Sequence, residues 1–264
     1  MNFKNKVIWI TGASSGIGAA LAVEFSKKGA LLILSSRSKS TLENVKNSCQ
    51  NPDSTKILPL DLENYLTLDT ITTKALHLFG KIDILINNGG VSQRSKVFDT
   101  KLEVDKKIMD INYMGTIALT KALLPHFLEN NGGHFVTVTS VVGRAATPVR
   151  SSYAASKHAL HGFFDSLRAE VYPNNIKVTL ICPGYVRTRL SFNALTGDGN
   201  LQNKMDKATD NGLLPEVFAK KMIQAIAKEK QEVIIGGFKE NALVYLKRFF
   251  PKLVSKIIRK VNVT

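Results

Sequence analysis

Cysteine is scarce in this chain of 264 residues, which contains only Cys49 and Cys182. The two cysteines lie far apart, and neither stands at metal-ligand spacing from another cysteine or a histidine. Their number and spacing exclude a disulfide framework and offer no pattern for a metal site. We therefore expect two reduced thiols in a cytoplasmic protein and no bound metal.

Long apolar runs are also lacking. No stretch reaches the roughly 18–20 residues that a helix needs to span a bilayer. The N-terminus, MNFKNKVIWITG, enters an apolar strand almost at once, so we expect neither a signal peptide nor a transit peptide. Hydrophobic residues at 44% and charged residues at 22% are typical of a globular domain with a core.

Acidic residues are few, with 21 against 36 lysines and arginines, and the formal net charge is +15. Such an excess raises nucleic acid or an anionic membrane as a partner. The chain has no arginine-rich arm and no DNA-reading motif, so we predict no nucleic-acid partner. Part of the excess lies in residues 239–264, which hold seven cations against Glu240 alone.

Residues 239–264 are predicted to form a basic, amphipathic C-terminal tail. Pro251 should break or kink any helix there. Three contacts fit this composition: an anionic membrane, a partner subunit, or an edge of the chain's own sheet. The apolar residues of the tail are Leu243, Leu246, Phe249, Phe250, Leu253, Val254, Ile257 and Ile258.

Short apolar segments alternate with longer amphipathic segments over residues 1–238. The apolar segments are nearly continuous in Ile, Leu and Val, which is typical of parallel strands covered on both faces. Strands are predicted at 6–10, 30–36, 55–61, 81–87, 133–140, 176–183 and 232–237. Helices are predicted at about 16–28, 39–49, 63–79, 101–129, 151–171 and 215–229. The alternation predicts one α/β domain with a doubly wound, Rossmann-type sheet of about seven parallel strands and helices on both faces.

Residues 187–214 interrupt the alternation. They are polar, contain glycine and are too long for a simple connection. We expect a lid over a substrate site, and a solvent-exposed insertion is the alternative. The residues expected to line an apolar pocket under this lid, unless they only pack the loop, are Tyr185, Leu190, Phe192 and Leu195.

Three glycines, Gly12, Gly16 and Gly18, follow the first strand and open the first helix. A bound phosphate needs close backbone N–H groups and benefits from the positive end of a helix dipole, and side chains would obstruct both. A tight turn without a ligand would also use glycine. The position between the first strand and the first helix favours a dinucleotide site.

Tyr153 and Lys157 stand four residues apart in SSYAASKHAL, on one face of a predicted helix. An ammonium near a phenol favours the phenolate, which would lower the tyrosine pKa and suit the residue to proton transfer. The spacing alone does not distinguish such a pair from chance, because the chain has six tyrosines and many lysines.

Taken together, the motifs resemble those of the classical short-chain dehydrogenases/reductases. TGASSGIG is similar to the glycine motif of that family, NNGG at 87–90 to its NNAG, and PGYVRT at 183–188 to the segment that meets the nicotinamide. The resemblance covers about residues 4–237 and implies a NAD(P)-binding catalytic domain at 1–238. The cofactor-binding residues that it implies are Gly12, Ser14, Ser15, Gly16, Ile17, Gly18, Arg37, Ser38, Asp61, Leu62, Asn88, Gly89, Gly90, Tyr153, Lys157, Pro183, Gly184, Val186 and Thr188.

The resemblance also implies a catalytic tetrad of Asn112, Ser140, Tyr153 and Lys157. Tyr153 would give a proton to the substrate oxygen in reduction, or take it in oxidation, and Ser140 would hold that oxygen. Lys157 would lower the pKa of Tyr153 and hydrogen-bond the nicotinamide ribose. Asn112 would anchor a water that links Lys157 to solvent. The implied substrate-binding residues are Ser140, Tyr153 and Tyr185, and each tetrad member taken singly also has a purely structural interpretation.

The end of the second predicted strand bears on which dinucleotide binds. The sequence there is LILSSRSKSTL, without the acid that accepts hydrogen bonds from the ribose 2′-OH of NAD. Arg37 is suited to pair with a 2′-phosphate, and Ser36 or Ser38 to hydrogen-bond it. In NADP-preferring relatives a second basic residue often precedes the middle glycine, where this chain has Ser15. We predict NADP(H), with NAD(H) as the alternative.

The segments NNGGVSQRS (87–95) and SKHALHGFFDSLRAE (156–170) resemble the branch that contains dehydrogenase/reductase member 7 and the 11-beta-hydroxysteroid dehydrogenases. This implies a ketone or aldehyde on a lipophilic molecule, or the corresponding alcohol, as substrate. It also implies a homodimer or homotetramer formed through the helices carrying Asn112 and Tyr153. The alternative is a dinucleotide-binding regulator with little turnover, whose signature would be degraded catalytic positions, and none is degraded.

Overall fold

The computed structural model describes residues 1–259. Its strands are β1 (Val7–Thr11), β2 (Leu31–Ser35), β3 (Thr55–Ile57), β4 (Ile84–Asn87), β5 (Gly133–Val138), β6 (Ile176–Pro183) and β7 (Glu232–Ile235). All pair in parallel in one sheet with the order β3-β2-β1-β4-β5-β6-β7. The predicted fold class is confirmed.

Helices connect the strands and cover both faces of the sheet. They are α1 (Gly16–Ser26), α2 (Lys39–Asn47), α3 (Leu68–Phe79), α4 (Leu102–Met109), α5 (Gly115–Glu129), α6 (Ser151–Glu170), α7 (Lys207–Asp210), α8 (Pro215–Ala227), α9 (Phe238–Phe249) and α10 (Pro251–Ile258). A π-helical turn, Asp110–Met114, joins α4 to α5. The helix predicted at 101–129 therefore exists as one nearly continuous run.

The two faces of β1 belong to two separate apolar layers because successive side chains of a strand point to opposite faces. Trp9 is fully buried in one layer, beside Ile33 of β2 and Leu85 of β4, to which it is paired in register. Ile8 and Ile10 point into the other layer. The central strands are therefore predominantly apolar and buried on both faces, as expected for a parallel sheet with helices on both faces.

β3 is shorter than the strand predicted at 55–61. It ends at Ile57, two residues before Pro59. Proline has no N–H to donate to a neighbouring strand, so it interrupts a ladder. The chain still follows β2 beyond that point, since the backbone N–H groups of Leu58 and Leu60 donate to the carbonyl oxygens of Leu34 and Ser36.

Two segments outside the sheet affect the site. The predicted lid at 187–214 is mostly irregular and contains the short helix α7. In the tail, α9 ends at Phe249 and α10 begins at Pro251, which is the break expected from that proline. Within residues 1–259, no helix is both long enough and apolar enough to cross a membrane.

Candidate active site

The glycine turn lies between the carboxyl ends of β1 and β4, where the strand order of the sheet reverses. In doubly wound folds, ligands bind in the crevice at this switch point. Gly12 and Gly16 have φ of +62° and +54°, in the left-handed region that favours glycine. A Cβ on Gly12 would lie 2.8 Å from the Cα of Gly89, and one on Gly18 would lie 2.2 Å from the carbonyl oxygen of Gly12. The turn therefore packs directly on the end of β4 and leads into the N-terminus of α1, a geometry that fits a dinucleotide phosphate.

Asn88 holds the two strand ends together. Its side-chain amide donates to the carbonyl oxygens of Thr11, at 3.1 Å, and Gly12, at 3.2 Å. In return, the Thr11 hydroxyl accepts from the backbone N–H groups of Asn88 and Gly89, both at 3.0 Å. Asn88 thus fixes the glycine turn in position.

A cavity of about 660 Å³ runs from this turn across the carboxyl ends of the strands. Most of the site residues predicted from the sequence line it: Gly12, Ser14, Ser15, Gly16, Ile17, Arg37, Ser38, Asp61, Leu62, Asn88, Gly89, Gly90, Ser140, Tyr153, Lys157, Pro183, Gly184, Tyr185, Val186 and Thr188. Gly18 and Asn112 are not among the lining residues, because Gly18 lies beneath the turn and Asn112 is fully buried.

Arg37 and its neighbours form one end of the cavity, just after β2. The Arg37 side chain is exposed and lines the cavity. Ser38 is the N-cap of α2, and its hydroxyl accepts from the backbone N–H of Thr41 at 3.4 Å. The Ser36 hydroxyl is buried and has no hydrogen-bond partner among the described residues. This end therefore offers a cation, an orphaned hydroxyl and a helix N-terminus, all of which suit an anion.

Ser140, Tyr153 and Lys157 meet on the wall of the cavity below the lid. Ser140 follows β5, and the other two lie one turn apart on α6. Tyr153 and Lys157 are 7% and 5% exposed, and the Ser140 hydroxyl lies near enough to the Tyr153 phenol to affect its pKa. The Lys157 ammonium donates to the carbonyl oxygen of Val138 at 2.9 Å and lies 5.9 Å from the centroid of the Tyr153 ring.

Burial shifts the pKa values of Tyr153 and Lys157, the two titratable groups of α6 in this site. It raises the pKa of Tyr153, against the lowering effect of the neighbouring Ser140 hydroxyl and of the charges on Arg150 and Arg94. It lowers the pKa of Lys157 to about 8. From the sequence, Lys157 was expected to lower the pKa of Tyr153. In the structure the lowering effect comes from Ser140 and the two arginines, while the Lys157 ammonium is hydrogen-bonded to a backbone carbonyl.

Asn112 lies in the π-helical turn between α4 and α5, and its side chain is hydrogen-bonded to other groups of the protein. Its carbonyl oxygen accepts from the backbone N–H of Val91 at 2.8 Å, and its amide donates to Val91 O at 2.9 Å and to Ser156 Oγ at 3.0 Å. Asn112 therefore ties the segment after β4 to α6, next to Lys157. Its role as anchor of a water relay stays a prediction.

Three of the four residues predicted to line an apolar pocket under the lid do so, two of them within the lid and one, Tyr185, just before it. Tyr185, Leu190 and Leu195 do line the cavity. Phe192 does not, and this expectation was wrong. Its ring lies instead against Arg189, whose Cζ is 4.8 Å from the ring centroid.

Three further residues beside Tyr153 were not predicted as site residues from the sequence: Gln93, Arg94 and Arg150. Gln93 is fully buried, and its Oε1 accepts from the backbone N–H groups of Ser152, at 2.9 Å, and Tyr153, at 3.3 Å. It thus fixes the start of α6. The signal available in the sequence was a polar SQRS run at the exit of β4, where this fold places ligands.

Arg94 and Arg150 line the cavity and share Asp206 of the lid. The Asp206 side chain is 1% exposed and accepts from Arg94 Nε at 2.8 Å, from Arg94 Nη2, and from Arg150 Nη2 at 3.3 Å. Burial alone would raise the pKa of Asp206, but the hydrogen bond and charge of Arg94 hold it below its ordinary value. The lid is therefore attached to the floor of the site by a buried ionic cluster.

Outside this cavity, one cluster within residues 1–259 has metal-ligand chemistry. The ligand atoms of His161, Cys182 and Glu232 lie within 4.8 Å of one another. Arg144 already holds Glu232 through two hydrogen bonds, and burial raises the pKa of Cys182 to about 12, so its thiol carries its proton. We assign no metal to this cluster.

The family model described as short chain dehydrogenase matches residues 6–197. This match covers more than half of the chain. The chain belongs to the short-chain dehydrogenase family. The family predicted from the sequence is thereby confirmed, and with it the general class of dehydrogenase and reductase chemistry.

Curated members of the family are similar over nearly the whole chain. The dehydrogenase/reductase SDR family protein 7-like of Drosophila melanogaster is 42% identical over 260 residues, covering 97% of this chain and 80% of the relative. The dehydrogenase/reductase SDR family member 7B proteins of Xenopus laevis and Mus musculus are 42% and 40% identical. The two alignments cover 96% and 97% of this chain, respectively, and 80% of each relative. The predicted similarity to the member 7 branch is confirmed.

Solved structures agree with the fold. A short-chain dehydrogenase from Streptomyces avermitilis superposes with a TM-score of 0.79 at 25% identity, covering 96% of both chains. A short-chain dehydrogenase/reductase from Burkholderia phymatum, solved in complex with NAD, superposes with a TM-score of 0.84 at 23% identity. The second comparison covers 100% of this chain and 98% of that chain. The doubly wound architecture is therefore that of the short-chain dehydrogenases.

Proposed function

We propose that this chain is an NADP(H)-dependent oxidoreductase that transfers a hydride between the nicotinamide and a carbonyl or secondary alcohol of a lipophilic substrate. The observation that carries the proposal is the meeting of Ser140, Tyr153 and Lys157 on one wall of the cavity that begins at the glycine turn. Hydride transfer to a carbonyl requires a proton at the oxygen, and this wall holds a phenol for that purpose.

The glycine turn and the region after β2 fit a phosphorylated dinucleotide. When bound, the nicotinamide supplies or accepts the hydride. Arg37 is positioned at the cavity end to pair with a ribose 2′-phosphate, with the orphaned Ser36 hydroxyl beside it. These two groups support NADP(H) over NAD(H). NAD(H) stays the alternative, since the Burkholderia phymatum relative was solved with NAD.

In the direction of reduction, Tyr153 donates its phenolic proton to the substrate oxygen as the carbonyl carbon receives the hydride. The Ser140 hydroxyl hydrogen-bonds the same oxygen and holds it in line with Tyr153. Ser140 and the charges of Arg150 and Arg94 favour the phenolate that the transfer leaves behind, and the Lys157 ammonium on the same face of α6 would add to their effect. In oxidation the proton moves in the opposite direction, from the alcohol to Tyr153.

The part of the cavity near the lid includes a group of apolar side chains. Leu190, Leu195 and Leu201 of the lid and Leu243 of α9 line it, together with the Tyr185 ring. Such a wall removes apolar surface of a ligand from water and favours a lipophilic carbonyl compound. The names of the member 7B relatives, as dehydrogenase/reductases, agree with this reaction class.

NADPH consumption against panels of ketones, aldehydes and quinones, repeated with NADH, tests the proposal. We expect turnover of a lipophilic carbonyl with a lower KM for NADPH. Arg37→Asp should raise the KM for NADPH at least about tenfold and improve the use of NADH, because a carboxylate repels the 2′-phosphate.

Lys28→Asp is the matched control, since it makes the same charge change at an exposed residue beyond the far end of α1. Unchanged coenzyme kinetics in Arg37→Asp would overturn the NADP assignment. Coenzyme binding without turnover on any panel would favour the catalytically weak regulator instead.

Two parts of the proposal rest on the sequence alone: a homodimer or homotetramer formed through the helices carrying Asn112 and Tyr153, and a cytoplasmic location. Light scattering on the purified chain tests the first, with a monomer as the contradicting result. Cell fractionation tests the second.

A further inference from the structure

Helices α9 and α10 expose a row of large apolar side chains. Phe238, Tyr245 and Phe249 lie at spacings of seven and four residues, on one face of α9, and are 87%, 63% and 70% exposed. Phe250 at the junction and Leu253 and Ile257 on α10 continue the row. Clustered exposure of this kind marks an interaction surface.

The opposite faces of the two helices are anchored on the domain. Val244 of α9 packs on the apolar cluster that contains Val141 and Tyr153, and Val254 of α10 is fully buried. Leu243 and Glu240 of α9 line the cavity. The exposed row is therefore the outer face of helices held in a fixed position beside the active site.

Cations border the apolar row. Lys252 and Lys256 lie four residues apart on one face of α10, and they, like Arg248 on α9, each precede a member of the row by one residue. Among residues 1–259, no acidic side chain pairs with any of the three. Sequence positions 241–264 contain no acid at all.

We propose that this docking face, comprising Phe238, Tyr245, Phe249, Phe250, Leu253 and Ile257 with Arg248, Lys252 and Lys256, lies on an anionic lipid bilayer. Aromatic and aliphatic side chains enter the interface while the long basic side chains reach the headgroups. A second copy fits less well. A symmetric pairing of this face would bring like cations together, whereas anionic headgroups complement them.

Docking would bring the cavity close to the bilayer, because Leu243 on α9 lines the cavity and Tyr245 lies on the docking face. A lipophilic substrate would then reach the site from the membrane. Only this consequence rests on the proposed function. The docking itself does not depend on turnover.

Co-sedimentation of the full chain with vesicles tests the proposal, using phosphatidylcholine alone or with about 30% phosphatidylserine. We expect binding to the anionic vesicles that weakens with salt. Lys252→Gln with Lys256→Gln should weaken it about 25-fold, since each cation near such a surface contributes roughly a factor of five. Lys220→Gln with Lys221→Gln, an identical change on α8, should leave it unchanged.

A second pair of variants tests the apolar contribution. Phe249→Ser with Leu253→Ser should abolish vesicle binding, while Leu66→Ser, at a residue that is 87% exposed outside the tail, should not. Circular dichroism melting checks that each variant folds.

Equal binding to both vesicle types, no binding to either, or equal losses in the control variants would overturn the proposal. So would a wild-type dimer that becomes a monomer in Phe249→Ser with Leu253→Ser and binds no vesicle, because a second copy would then cover the face. These readouts involve no coenzyme, so they are independent of whether the chain turns over NADPH.

Discussion

Lys157 carries its ammonium inside the protein, 5% exposed, with a backbone carbonyl oxygen as its hydrogen-bond partner. No carboxylate is among the causes that set its pKa, and burial alone lowers that value from 10.5 to about 8. A charge held in this way destabilises the folded chain. In the proposed chemistry this cost is offset in function, because the ammonium adds to the charges that favour a phenolate on Tyr153 and a neutral side chain would not.

Replacing Lys157 by methionine should therefore stabilise the chain near neutral pH. The pKa displacement corresponds to about 3 kcal/mol, less about 1 kcal/mol for the carbonyl left without a donor. Below pH 8 the burial penalty of the wild type is full. Between about pH 8 and 10.5 the unfolded chain binds more protons than the folded one, so wild-type stability rises with pH.

Urea denaturation of both proteins measures this difference. We expect Lys157→Met to be more stable by about 2 kcal/mol at pH 6.5, with most of the gap gone at pH 9.5. Comparing the two proteins at each pH removes the contributions of other titrating groups. Lys220→Met, at an exposed position of α8, is the control and should show no such pH-dependent gap. A gap that is constant with pH would contradict the account of Lys157.

At the scale of elements, the start of α6 is fixed from outside the helix. The first N–H groups of a helix lack partners within it. Gln93 supplies one acceptor for two of them, at Ser152 and Tyr153, and its amide donates to Ser95, Thr100 and Ser151. The segment after β4 thus positions the helix that carries Tyr153, the proposed proton donor.

Gln93→Leu should destabilise the chain by about 2–3 kcal/mol, because it buries two N–H groups without acceptors. It should also lower kcat more than it changes the KM for coenzyme, since it moves Tyr153 and leaves the glycine turn in place. Gln224→Leu, an exposed glutamine on α8, is the matched control. Wild-type kcat in a folded Gln93→Leu protein would show that Gln93 is only structural.

The ion pairs of Asp206 with Arg94 and Arg150 hold the lid in place, and a substitution at Asp206 tests this role. Asp206→Asn removes the charge that Arg94 and Arg150 share, and breaking a buried pair costs several kcal/mol. Trypsin should then cleave the lid, at Arg189 or Lys204, at least about tenfold faster. Asp198→Asn changes an exposed aspartate of the same lid and should leave cleavage unchanged. Equal cleavage rates in the two variants would contradict a latch at Asp206.

At the scale of the whole molecule, parallel strands bring distant motifs to one edge. The glycine turn after β1, the asparagine after β4, Ser140 after β5 and the PG segment after β6 all lie at carboxyl ends of strands. Strand composition and motif order were readable from the sequence because each depends on local pattern. The resemblance to the short-chain dehydrogenases implied most of the residues that line the cavity, whereas Gly18, Asn112 and Phe192 do not line it.

The features that could not be predicted from the sequence depend on contacts between residues far apart in the chain. Arg94 and Asp206 are 112 positions apart, and neither stands in a motif with an assigned role. Burial of Lys157, and its effect on the pKa of that residue, likewise follow from packing of α6 on the sheet. Phe192 was misplaced because an aromatic in a loop has no periodicity to indicate which way it points.

The most direct test of the proposed chemistry is single-turnover NADPH oxidation by Tyr153→Phe, with the best carbonyl substrate from the panels. General-acid catalysis contributes about 100-fold to 10,000-fold, so hydride transfer should slow by about 100-fold or more. The affinity for NADPH should stay within about twofold, since the phenylalanine leaves the glycine turn intact. Tyr172→Phe, at an 82% exposed position, should behave as the wild type. Full-rate hydride transfer by a folded Tyr153→Phe protein would contradict the assignment of Tyr153 as the proton donor.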